Sequence, residues 1–227
     1  MVNTIVLFIA YSKSDDESEE YFKELDKEHE EVKMIIAQTN DAPTVTTIYT
    51  SPYRSAIELS KLIKDKNGVK GQINIENALY DVLDNKRYDM VNCHYYYNDH
   101  FKDKRPYIRG SLKRKDDTNS IKWWRKQKTY KKSIESISID TKNSSIMVCN
   151  IKHNESDVDI ISRIGPFIYK LMNNDRDDVV GFVTHPALKK HIINYVKWYN
   201  KQEDNTVNIY VVKTETNTVM EWQDVSK

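Results

Sequence analysis

The chain has 227 residues, 35 Lys and Arg against 34 Asp and Glu, 39% hydrophobic and 30% charged residues. That balance buries a core under a very polar surface, which excludes a disordered tail and a binder defined by net positive charge alone. The longest apolar run, Ile5 to Ala10, is far short of the ~20 residues of a membrane helix, so no membrane partner is expected.

Taken in chain order, Thr4 to Ile9 is a continuous β-branched and apolar run, the pattern of a strand buried on both faces. From Asp15 to Glu31 the sequence carries ten acids against Lys23 and Lys27 and reads as an acidic arm or helix. Thr46 to Tyr49 is a second strand. Ser51 then offers a helix cap, Pro52 suits a first helical position, and Ala56, Leu59, Leu62 and Ile63 fall at helical spacing. A polar insertion spans about 95–145, and it is basic and aromatic between Lys102 and Lys132. Asn154 to Asp157 reads as a helix start, with Ile161, Ile164, Ile168 and Leu171 as its stripe and a kink expected at Gly165-Pro166. Val179 to Val183 is a third strand. Thr184-His185-Pro186 leads from it into a helix with Leu188, Ile192, Tyr195, Val196 and Tyr199 on one face. Val207 to Val212 is a final strand. Strands alternating with helices predict an α/β fold with a largely parallel sheet, here as one domain over 1–227.

In such sheets ligands bind beyond the carboxyl ends of the strands, where helix N-termini present backbone N–H groups. Arg54 and His185 fall at two of those ends. A guanidinium grips phosphate through parallel hydrogen bonds and a protonated imidazole adds a third donor, so the pair predicts a phosphate-bearing ligand. Each residue also has a plainer reading. His185 suits a hydrogen bond to a neighbouring carbonyl, and Arg54 suits an ion pair with Asp81 or another acid.

These residues resemble the histidine phosphatase superfamily, which includes the cofactor-dependent phosphoglycerate mutases. Ile48 to Ala56 is similar to that family's strand followed by Ser-Pro-x-x-Arg-Ala, one residue shorter before Arg54. His153-Asn154-Glu155-Ser156 with Arg163 resembles its Glu-Ser segment and downstream arginine. Val179 to His185 looks like the strand that ends in its second histidine. Leu79-Tyr80-Asp81 falls where the family has Leu-x-Glu, so the resemblance makes Asp81 a candidate proton donor beside His185. The implied fold is three-layer α/β and phosphoglycerate mutase-like, with a mostly parallel central sheet and helices on both faces.

The departure is at the first strand. The family's strand ends in Arg-His-Gly, whose histidine accepts the phosphoryl group, whereas here it runs into Ala10-Tyr11-Ser12-Lys13. Phosphohistidine chemistry needs an imidazole aimed in line with the leaving oxygen, and none of these residues supplies one. The resemblance therefore implies a catalytically degenerate member that binds or assembles with protein partners. One relative serves in the general transcription factor of RNA polymerase III. A divergent phosphatase using Arg54 and His185 is the alternative reading. A nucleic-acid factor is the other, with Trp123, Trp124, Arg125, Lys126 and Lys128 in the basic segment supplying charge and stacking faces.

No cofactor is expected. His94, His100, Asp99 and Cys93 lack a specific metal-ligand spacing, so no metal site is expected either. Two cysteines, Cys93 and Cys149, cannot build a disulfide framework, and the N-terminus lacks a basic start, apolar stretch and cleavage site. An intracellular setting, cytoplasmic or nuclear, is the expectation.

Overall fold

The computed structural model describes residues 3–14, 23–37, 42–69, 73–82, 139–140, 155–173, 179–203, 206–213 and 221–226. Among these residues seven strands form one sheet in the order β4-β3-β2-β5-β1-β6-β7. They are β1 (Thr4–Ile9), β2 (Thr47–Thr50), β3 (Ile73–Ile75), β4 (Ile139–Asp140), β5 (Val179–Thr184), β6 (Asn208–Lys213) and β7 (Glu221–Asp224). Every pairing is parallel except β6 with β7, so the protein is α/β with a mostly parallel mixed sheet.

The side-chain alternation of β1 divides the core. Val6 and Phe8 point into one cluster with α1 (Glu30–Ala37) and α2 (Arg54–Asn67), through Val32, Ile35, Ala56, Leu59 and Ile63. Ile5, Leu7 and Ile9 point into the other, with α3 (Asp157–Met172) and α4 (Pro186–Glu203), through Ile164, Ile168, Leu188 and Ile192. Because both faces of β1 are covered, its run is apolar throughout rather than alternating.

Local chemistry sets the helix ends. Ser156 caps α3 in a reciprocal box with Asp159, satisfying two backbone donors at the start of the helix. The helix continues from Asp157 to Met172 through Pro166. Glu30 and Glu31 occupy the first turn of α1, where acids complement the dipole. Gly68 closes α2 in the left-handed conformation (φ 62°), its N–H bonded to the Lys64 carbonyl.

Three expectations shift. Helix α2 begins at Arg54, not at Pro52, because the Ser51 N–H extends the sheet ladder to the Val183 carbonyl (2.8 Å) and Tyr53 becomes the N-cap. Of the stretch expected as an acidic arm or helix, residues 15–22 lie outside the described residues, while residues 23–29 form an irregular return with an antiparallel bridge from Leu25 to Ser12, and helix begins at Glu30. Residues 139–140, inside the expected insertion, pair in parallel with β3.

Candidate functional site

The C-terminal ends of β2, β5 and β1 lie side by side, since β5 pairs with both neighbours. Ladder bonds continue one step past the strands, from Ala10 N–H to the Thr184 carbonyl and from Ser51 N–H to the Val183 carbonyl, each 2.8 Å. Ser51, His185 and the Ala10–Ser12 turn therefore form one edge, where α2 and α4 also begin.

His185 is buried and its Nε2 sits 3.3 Å from Ser51 Oγ, with the ring tautomer deciding which partner donates. The Tyr53 ring packs against it, centroids 4.4 Å apart, and Tyr80 packs edge-on against Tyr53 at 4.9 Å. Tyr80 is placed by a turn that is itself pinned twice. Thr184 Oγ1 donates to the Leu79 carbonyl (2.9 Å), and Arg163 Nη1 donates to the Ala78 and Tyr80 carbonyls (2.7 and 2.9 Å). The other face of Arg163 forms a two-pronged bridge to Glu155, at 2.7 and 2.6 Å, with both side chains almost wholly buried. That fork geometry suits a guanidinium and carboxylate removed from water. The resemblance singled out Glu155-Ser156 and Arg163, and the structure joins Glu155 to Arg163 and gives Ser156 the cap of α3.

Arg54 faces a different neighbourhood. Its Nε donates to Glu58 Oε1 one turn on (2.9 Å), and its Nη2 donates to Glu24 Oε1 (2.7 Å). Glu24 arrives on the irregular return, where Lys13 Nζ also holds it at 3.0 Å, and Glu58 Oε2 accepts the Leu25 N–H at 2.9 Å. The hydrogen bond from Lys13, opposed by partial burial and assisted by Arg54, holds the Glu24 carboxyl below its ordinary range. Burial works against the Arg54 charge, but Glu58 and then Glu24 outweigh it and keep the guanidinium above its ordinary value.

Beyond β1, Ser12 Oγ donates to Ser55 Oγ (3.2 Å), and Tyr11 stacks flat on His29, ring centroids 3.5 Å apart. Burial, together with the charge and hydrogen bond of Glu31, drives the Tyr11 phenol well above its ordinary range. His29 Nδ1 and Glu31 Oε2 are buried without a hydrogen-bond partner. His29 was not singled out from sequence, where it sits inside an acidic run with no spacing signal of its own.

Asp81 is partly buried, and its Oδ1 accepts the Val82 N–H at 2.8 Å. Trp123, Trp124, Arg125, Lys126 and Lys128 lie outside the described residues, as do Cys93, His94, Asp99 and His100. Among the described residues, no group of three or more His, Cys, Asp or Glu is placed to hold a metal ion. No helix among them is long and apolar enough to cross a membrane. Comparison with models of protein families, with curated proteins and with solved structures finds no match to this chain.

Proposed function

We propose that the chain is a phosphoglycerate mutase-like member of the histidine phosphatase superfamily that has given up phosphoryl transfer and serves as a binding or protein-assembly module. The observation that supports this most is the commitment of Arg54. Phosphoryl transfer needs a guanidinium free to meet the charge that develops on the transferring group. Here it is held by Glu24 and Glu58, two carboxylates that repel a phosphate. The turn after β1 supports the same reading, since Ala10, Tyr11 and Ser12 stand where the family's nucleophile would be. His185 and Ser51, hydrogen-bonded to each other where α2 and α4 begin, mark the edge at which an anionic group of a partner would meet the helix N-termini.

Incubation with a generic aryl phosphate over pH 5–8 tests the proposal. No turnover above a His185→Ala control is the expected result, and robust turnover lost in that variant overturns it.

A second reading, a divergent phosphatase, is favoured by one specific observation: the His29 imidazole stacked on Tyr11 directly after β1, with a buried, unengaged Nδ1. Turnover abolished by His29→Ala and by His185→Ala alike would establish that alternative.

A further inference from the structure

Away from the sheet's carboxyl edge, the described residues leave two large aromatic side chains in solvent: Trp198 is 53% exposed and Tyr169 46%. They belong to one aromatic group that crosses from α4 to α3. Trp198 packs on Tyr195 (centroids 5.5 Å), and Tyr169 packs edge-on against the buried Tyr199 (5.8 Å). The approach is close because Tyr195 lies over Gly165, where a Cβ would come within 2.9 Å of its ring.

Among the described residues lysines predominate around this group, with exposed Glu203 at the end of α4. Helix α4 holds no Asp or Glu from Pro186 to Gln202. At 100° per residue, Lys190, Lys197 and Lys201 share an outward stripe about 40° wide and about 16 Å long, with Trp198 on its flank. Lys190, Lys201 and, on α3, Lys170 are exposed. The acids of α3, Asp157 and Asp159, lie in its first turn, at the far end beside His191.

We infer that this face, with Trp198 and Tyr169 as stacking platforms and the exposed Lys170, Lys190 and Lys201 as phosphate contacts, binds single-stranded nucleic acid. Exposed rings stack on any base, and lysines neutralise a phosphate backbone. Protein-docking surfaces have a different make-up, with Arg accompanying aromatics and Lys depleted; among the described residues every exposed flanking cation here is Lys. A lipid surface needs an open apolar stripe, but Leu188, Ile192, Val196 and Tyr199 spend that stripe on the core. The surface is independent of the proposed function, because Trp198 stands about 20 Å along the helix axis from His185.

The test is fluorescence anisotropy of a labelled 20-nucleotide oligo(dT) with the full chain, from 50 to 200 mM salt. The expected slope of log affinity against log salt is about −2, for three contacted phosphates. Trp198→Ala weakens binding about tenfold while Trp198→Phe retains it, and Lys190→Gln with Lys201→Gln flattens the slope by about 1.4 units. A thermal midpoint for each variant separates lost contact from lost fold. The inference is overturned if these variants bind like wild type while neutralising Arg125, Lys126 and Lys128 removes all binding. It is equally overturned if polyglutamate of matched charge competes as well as unlabelled oligo(dT).

Discussion

Replacing Arg163 with Met tests how the edge around His185 is held together. Arg163 is 6% exposed, bridges Glu155 through two short bonds and donates to two carbonyls of the turn that carries Tyr80. Methionine retains the apolar stem and removes every donor, so a buried carboxylate is left without its counter-charge and two carbonyls lose their partner. Breaking a buried pair in this way costs about 3–5 kcal/mol. For a chain of this size each kcal/mol lowers the midpoint by about 2–4 °C, so the loss amounts to ~6–20 °C. Urea unfolding gives the free energy directly. The double variant Arg163→Met with Glu155→Leu removes both charges, and it should recover most of the loss, to within about 2 kcal/mol of wild type. Because Tyr80 packs on Tyr53 and Tyr53 on His185, the single variant should also shift the His185 ring resonances in NMR. A single-variant cost below about 1 kcal/mol, or a double variant as unstable as the sum of the two singles, would refute the reasoning.

Three further outcomes follow from other parts of the molecule. Glu24 is held below its ordinary pKa by Lys13 and Arg54, so its contribution to stability is present above about pH 4 and lost as pH falls through its lowered folded value. The wild-type advantage over Glu24→Gln should therefore be flat near neutrality and vanish in acid, and an advantage that grows on acidification would contradict the ion pair. The Tyr11 phenol is raised, so the protonated form's contribution is intact below about pH 10 and fades as pH climbs toward the folded value. Tyr11→Phe should remove that alkaline sensitivity from the unfolding curve. Gly181→Ala puts a Cβ 2.9 Å from Val45 Cγ1 and 3.2 Å from Phe8 Cε2 between two central strands, and overpacking of that kind costs about 1–3 kcal/mol by chemical denaturation.

The elements legible in the sequence were those whose signal is local. The Thr4–Ile9 run specifies a doubly covered strand by its apolar continuity, Pro186 marks the first position of α4, and Asn154 to Asp157 announces the start of α3. Strand β3 is three residues long and β7 reads Glu-Trp-Gln-Asp, so neither carries a periodic pattern, and sheet pairing alone creates them. Helix α1 was concealed by acids that suggested one longer acidic segment, although Val32 and Ile35 supply its buried face. Ser51 looked like a cap, and tertiary context reassigned it: its N–H joins the ladder and its hydroxyl meets His185.

The candidate site divides the same way. That Arg54 and His185 stand at strand ends followed from strand-turn-helix reasoning. Glu58, four residues after Arg54, was within reach of a helical-spacing argument. Glu24, thirty residues before it, is brought there only by the chain's return along Ser12, a long-range pairing with no sequence period to announce it.

A crystal structure grown with vanadate measures the central claim most directly, because vanadate takes the place of a transferring phosphoryl group. The account predicts Arg54 still bridged to Glu24 and Glu58, with no bond from vanadium to a protein atom. Vanadate bonded to His29, Tyr11, Ser12 or His185, with the Arg54 guanidinium turned from its carboxylates to the vanadate oxygens, would contradict it.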